Sequence, residues 1–175
     1  MRSTVSKLYA MRTLLLLMLA CITLVSCGPS KSKMTSLAKE NLELSVDYPK
    51  QIQIIAISEP DSAFGTGYFT DKEVKGMIQT MKVVADTIMK RTGNMSKFDP
   101  DDYYVVSLAE RQMRGMSEIR SMIMKSDKKG AFSGWKVKID YSCVDKDGIP
   151  YRAERWFFID KEVKQVYKTF ELPLP

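Results

Sequence analysis

Chemistry in this chain has to be done without histidine, because its 175 residues contain none. That excludes His-based triads, His metal sites and His proton shuttles, and leaves Cys, Asp, Glu, Tyr and Lys. Cys143 is the only cysteine after residue 27. With no imidazole to activate it, a buried thiol acting as a small hydrophobe is the expectation. Glu59, Asp61 and Asp71 could work as paired acid and base only if a pocket brought them together. Asp99, Asp101 and Asp102 could gather a cation, but acids before a helix amino terminus are the ordinary account. Asp145, Asp147, Gly148 and Glu154 match later positions of an EF-hand loop. Its first ligand would be Cys143 and its flanks read as strands, so a hairpin turn is expected there. Gly65-Thr66-Gly67 is not followed by Lys-Ser/Thr and is no phosphate loop. No catalytic set and no metal site emerges.

Charge narrows the partners. Half of the net charge of +6 sits in residues 1–26 as Arg2, Lys7 and Arg12. The body is nearly balanced, which gives no footprint for nucleic acid. The basic residues along 111–129 alternate with acids and read as a solvated helix face. A body of this size suits one domain and buries roughly 70% of its unfolded surface, so it needs no staple.

The amino terminus carries an address. Arg2, Lys7 and Arg12 precede the apolar run Thr13–Val25, which is shorter than the roughly 20 residues of a spanning helix. Positive residues followed by a short apolar run form a secretory signal peptide. The run closes on Leu24-Val25-Ser26-Cys27, which resembles the lipobox of bacterial lipoproteins. The resemblance implies a signal peptide over 1–26, cleavage before Cys27, and a diacylglyceryl thioether plus an N-acyl chain on Cys27. That lipid would be the only group the chain carries; no other cofactor is expected. Several acyl chains hold a soluble domain on a bilayer without a spanning segment, at about 0.8 kcal/mol per buried CH₂. The absence of an acid after Cys27 implies, on the same resemblance, the outer membrane with the domain facing the periplasm. Gly28-Pro29-Ser30-Lys31-Ser32-Lys33 reads as a polar tether, so the division is tether 27–36 and a single domain 37–175.

Local patterns place the elements. Leu42, Leu44, Val46 and Tyr48 alternate with polar residues, a strand pattern, although 35–44 also fits a short helix. Ile52, Ile54 and Ala56 suggest a second strand, and 59–67 reads as loop. Thr70-x-x-Glu73 is a capping box opening a helix over about 71–91, ended by Thr92-Gly93-Asn94. Its stripe of Val74, Met77, Ile78, Met81, Ala85 and Ile88 reads as core packing. A second helix starts near Asp99-Pro100 or Ser107-x-x-Glu110 and buries Met116, Ile119 and Ile123. Trp135, Val137, Ile139, Tyr141 and Cys143 then alternate with polar residues. Asp145-Lys146-Asp147-Gly148 suits a three-residue hairpin. That hairpin sets Tyr151 opposite Cys143, Ala153 opposite Tyr141, Phe157 opposite Val137 and Ile159 opposite Trp135.

A turn near Lys161-Glu162 would start a third strand, with Val166 beside Phe157, Phe170 beside Ala153 and Arg152 facing Glu171. Arg155 and Lys168 then intrude on the apolar face. The other face collects Trp156, Phe158 and Tyr167 near Lys136 and Lys138. This group is either covered by a helix or the amino-terminal strands, or exposed as a binding surface.

These elements predict an α+β domain: a carboxyl-terminal three-strand meander plus one or two amino-terminal strands, packed on two helices. The architecture resembles cystatin-like and NTF2-like domains. Gln165-Val166-Tyr167-Lys168-Thr169 lacks the glycine of a cystatin inhibitory hairpin, so protease inhibition is not implied. The resulting expectation is a noncatalytic binding module on the envelope, with the bilayer and an envelope protein as partners. The alternative is an NTF2-like small-molecule binder or enzyme with a pocket between sheet and helix.

Overall fold

In the computed structural model, residues 30–66, 68–124 and 130–175 are described. The signal-peptide segment and Cys27 lie outside them. The folded unit runs from Lys31 to Pro175, and its class is α+β: three helices and an antiparallel five-stranded open sheet.

The first helix, α1, spans Lys31–Leu44 and buries Met34, Ala38 and Leu42. One boundary is corrected here, and the choice between a strand over 42–48 and a short helix over 35–44 is decided for the helix. Residues 31–36 are helix instead of tether, so the domain begins before residue 37. Leu42 to Tyr48 is not a strand. The physical reason is that Met34, Ala38 and Leu42 repeat every four residues and line one helical face. The period-2 pattern over 42–48 overlaps the last turn and has no strand to pair with.

A 3₁₀ turn at Pro49–Gln51 leads into β1 (Gln53–Ile57). Next, β2 (Asp61–Phe64) occupies part of the stretch read as loop. Both pair antiparallel with β3 (Phe132–Val144), β1 on its second half and β2 on its first. β4 (Pro150–Ile159) and β5 (Val166–Leu174) complete the order β1-β3-β4-β5. The β3–β4 register is the one the hairpin chemistry dictates, with Trp135 opposite Ile159 and Cys143 opposite Tyr151. The Asp145 amide donates to the Ile149 carbonyl, and Gly148 sits at φ +77, where glycine is favoured.

The β5 register differs from expectation. Trp156, not Ala153, faces Phe170, and Arg155, not Arg152, faces Glu171. The strand is slipped by three residues, and an odd slip exchanges its two faces. The cause is a wider β4–β5 turn. Val163 adopts φ +55 there and buries its side chain, and Asp160 accepts from the Lys164 amide at 2.6 Å. The slip removes the intrusion of Arg155, which now meets a carboxylate.

Two helices cover the second face. α2 spans Asp71–Arg91 with the Thr70–Glu73 capping box formed in both directions. α3 spans Tyr103–Met124; Asp102 caps it by accepting from the Val105 amide at 3.2 Å. Gly115 of α3 rests on β5, where a Cβ would lie 2.7 Å from the Glu171 carbonyl oxygen. That approach centres the buried stripe on Leu108, Gly115, Ile119 and Met122, and leaves Met116 and Ile123 exposed against expectation. Ile78 of α2 is exposed as well.

The sheet therefore separates two cores. α1 packs with Val137, Ile139, Tyr141, Ala153, Phe157 and Ile159 on one side. On the other, Met77, Ile119 and Met122 pack with Trp156, Phe158, Phe170 and Leu172.

Candidate functional site

The residues singled out from the sequence do converge on one face, but as the lining of a cleft more than as an open patch. Trp156, Phe158 and Lys136 are buried, Lys138 is half-buried and Tyr167 is exposed. The cover comes from α2 and the segment before it. Phe69 sets its ring edge-on to Trp156 at 5.4 Å and to Phe158 and Phe170 at 5.6 Å each. Edge-to-face geometry suits the ring quadrupoles and adds roughly 0.5–1.5 kcal/mol per pair beyond burial. Of the two alternatives, cover or exposure, Trp156 and Phe158 take cover. A sheet with aromatic side chains on both faces loses too much by leaving either one wet.

Between the amino-terminal half of α2 and the sheet a cleft of about 450 Å³ remains. Asp61 and Lys72 stand at its rim, Thr70, Gly76 and Thr80 along α2, and Lys138, Glu154 and Trp156 on its sheet side. Its charges are organised in pairs. Lys136 Nζ lies 2.6 Å from Glu73 and 3.4 Å from Asp61, and donates to the Tyr68 carbonyl at 3.1 Å. Lys138 Nζ lies 3.0 Å from Glu154 and 3.6 Å from Asp140. Glu154 also accepts from the Trp156 indole N–H at 2.9 Å, which fixes the plane of that ring. Burial pulls the Lys138 ammonium down, but Glu154 and Asp140 outweigh it and hold it above its ordinary value.

Glu73 links helix start and site. Its carboxylate takes the Thr70 amide at 2.7 Å, closing the capping box, and also the Lys136 ammonium. Gly76 faces open space, and a Cβ added there would meet nothing within 4 Å. No packing requirement explains a glycine at that position; its effect is to leave the cleft wall low.

Sequence reasoning missed Glu73, Glu154 and Phe69 as members of this group. Glu154 was accessible to it: with Lys138 opposite Trp156, Glu154 is the diagonal neighbour of Lys138, within reach of a long side chain. Phe69 carries no such signal, since it sits in a connection.

The remaining candidates resolve separately. Cys143 is free and buried. Asp145 accepts from the Asp147 and Ile149 amides, so it builds the hairpin turn. Glu59 pairs with Lys31 at 2.8 Å, away from Asp61 and its lysine partner. Asp99 accepts from the Asp101 amide ahead of α3. A larger groove, about 640 Å³, opens at the hairpin end between Gln51, Gln53, Tyr104, Tyr151 and Arg152. Among the described residues no Asp or Glu side chain lines it, so the paired charges distinguish the smaller cleft.

One further polar group is largely closed to solvent. Glu171 accepts from the Tyr141 hydroxyl and Arg155 at 2.5 Å each and from Arg111 at 2.8 Å. The Arg111 guanidinium lies 3.5 Å over the Tyr151 ring. Burial would push the Glu171 carboxyl up, but Arg155, the Tyr141 hydroxyl and Arg111 more than reverse it and hold it below its ordinary value. This network ties α3 and β5 to the middle of the sheet.

Compared with known proteins, the chain matches no family model, no curated protein and no solved structure.

Proposed function

We propose that this chain is a lipid-anchored protein of the bacterial envelope whose α+β body acts as a noncatalytic binding module facing the periplasm. Arg2, Lys7, Arg12, the apolar run Thr13–Val25 and the sequence Leu24–Cys27 support the anchor. The outer membrane is the membrane in this reading, and acylated Cys27 is the attachment.

The observation that carries the binding role is the cleft beside α2. It combines an aromatic floor, Trp156, with charged groups at its rim, the composition of a recognition site. Its carboxylates Glu73, Asp61 and Glu154 each meet a lysine. Charges spent on one another orient a ligand instead of shuttling protons. The cystatin-like or NTF2-like likeness is part of the same proposal; the three-strand meander with α1 lying along one face supports it. An internal NTF2-like pocket finds less support, because Met77, Trp156, Phe158 and Phe170 fill the space under α2.

The experiment is photo-crosslinking in intact cells from Lys72 and Thr80, at the cleft, with Lys50 as a distant control. A discrete adduct from the cleft positions, absent from Lys50, supports the module. Adducts no stronger than a mock sample refute it. The anchor is tested separately: radiolabelled palmitate enters the protein and fails to enter Cys27→Ala.

A further inference from the structure

Cys27 and Lys31 are four positions apart, and α1 begins at Lys31. A trans chain spans at most about 3.6 Å per residue, so a lipid on Cys27 would keep the start of α1 within roughly 14 Å of the bilayer. A domain held that close must rest some part of its surface on the lipid. The structure shows which part suits it.

One end of the sheet gathers several chain segments. Phe64, ending β2, pairs with Phe132 at the start of β3. Ile159, ending β4, pairs with Trp135 and with Val166, which begins β5. The turn containing Lys161 and Lys164 lies beyond them. α1 starts toward this same end, since Tyr48, four residues beyond its other terminus, reaches Cys143 and Lys146 at the hairpin. Lys31 pairs with Glu59, two residues before β2, which brings the start of α1 to the end where β2 meets the beginning of β3.

The side chains there are of two kinds. Lys31, Lys33, Lys161 and Lys164 are exposed, and Phe64 and Tyr167 are 51% and 41% exposed among them. The acids at this end are largely engaged. Glu59 meets Lys31, Asp61 meets Lys136, and Asp160 holds backbone amides of the turn; Glu162 is exposed, as is Asp71, which shares a hollow with Phe64. The opposite end carries Asp47, Asp99, Asp101, Asp102, Asp145 and Asp147 interspersed with exposed Lys50, Lys97, Lys146 and Arg152, and so has no one-signed patch. Exposed lysines beside exposed aromatic rings are the pattern that settles at an anionic lipid interface, with the rings at headgroup depth and the ammonium groups on phosphate.

We propose that this end of the domain, Lys31, Lys33, Lys161 and Lys164 with Phe64 and Tyr167, docks on an anionic bilayer. The docked orientation turns the β3–β4 hairpin end away from the lipid. The inference rests on the acylated Cys27 reading for its proximity but makes its own demand, a preferred face.

The test is amine acylation of the protein purified from cells and mixed with vesicles of phosphatidylethanolamine and phosphatidylglycerol, or of phosphatidylcholine alone. Mass spectrometry then reads each lysine and the modification of Cys27. On the anionic vesicles Lys33, Lys161 and Lys164 are shielded about fivefold each, while Lys50, Lys97 and Lys146 label as in detergent. On phosphatidylcholine the shielding is lost. Lys161→Gln with Lys164→Gln, both solvent-exposed, weakens docking about 30-fold, and Lys33 regains its labelling. Acylated Cys27 with equal labelling of both ends overturns the docking face and leaves the anchor intact. Unmodified Cys27 with the basic end still shielded overturns the anchor and leaves the face intact. Unmodified Cys27 with no vesicle association overturns both.

Discussion

Replacing Glu171 by Gln changes one atom of the side chain and removes one charge from a site where three groups converge. The carboxylate is 14% exposed and accepts from Tyr141, Arg155 and Arg111. Glutamine keeps a carbonyl acceptor, but its amide meets a guanidinium instead of answering it. Arg155, at 15% exposure, then loses its paired carboxylate, while Arg111, at 13%, keeps only Asp145 at 4.0 Å. Breaking such a pair from one side costs about 3–5 kcal/mol. The retained hydrogen bond places Glu171→Gln near the lower figure, about 3 kcal/mol. A domain of this length loses roughly 2–4 °C per kcal/mol, so the midpoint falls by about 6–12 °C. The assay is thermal and urea unfolding at neutral pH, with the urea slope unchanged.

The pH dependence supplies a second check on the same residue. The folded carboxyl is held below its ordinary value of 4.5, so the unfolded chain takes up the proton first as pH falls. The network's contribution is complete above about pH 4.5 and is lost as pH drops through the folded value. Wild type loses stability in that acid window, and Glu171→Gln loses less. A glutamine variant within about 0.5 kcal/mol of wild type, with the same acid profile, would refute the network as a holder of α3 and β5.

Two glycines give opposite signs. Gly115→Ala drives a Cβ to 2.7 Å from the Glu171 carbonyl and 3.1 Å from Leu172 Cδ2, and destabilises by about 1–3 kcal/mol as α3 is pushed off β5. Gly76→Ala meets nothing within 4 Å and stabilises by up to about 1 kcal/mol through helix propensity; urea midpoints for both decide the point. Thr70→Ala removes the hydroxyl that takes the Glu73 amide and costs about 1 kcal/mol. Because Glu73 also holds Lys136, exchange of the first-turn amides of α2 should quicken with it; unchanged exchange would separate the cap from the cleft.

What the residues determined alone is what neighbours in the chain settle among themselves. Thr70 and Glu73 lie one helical turn apart, so the start of α2 was legible, as was its end at Gly93, φ +54. Asp145 to Gly148 closes a turn by bonds within five residues, and that turn carried the whole β3–β4 register with it. The α+β class followed from these and from the alternation of Trp135 to Cys143.

Tertiary structure decided the rest. The β4–β5 turn has no chemistry that pins its length. Its width depends on Val163 finding a place in the core beside α1, a contact that no local pattern announces. The three-residue slip of β5 follows from that contact. It brings Glu171 to Arg155 and Phe170 to Trp156, and so creates both the buried network and the floor under α2. Likewise Gly115 could be read as a weak spot in a helix until β5 lay against it. Local bonds repeat in every chain that has the motif; a register is chosen by competition among distant surfaces, and only the folded sheet holds that competition's outcome.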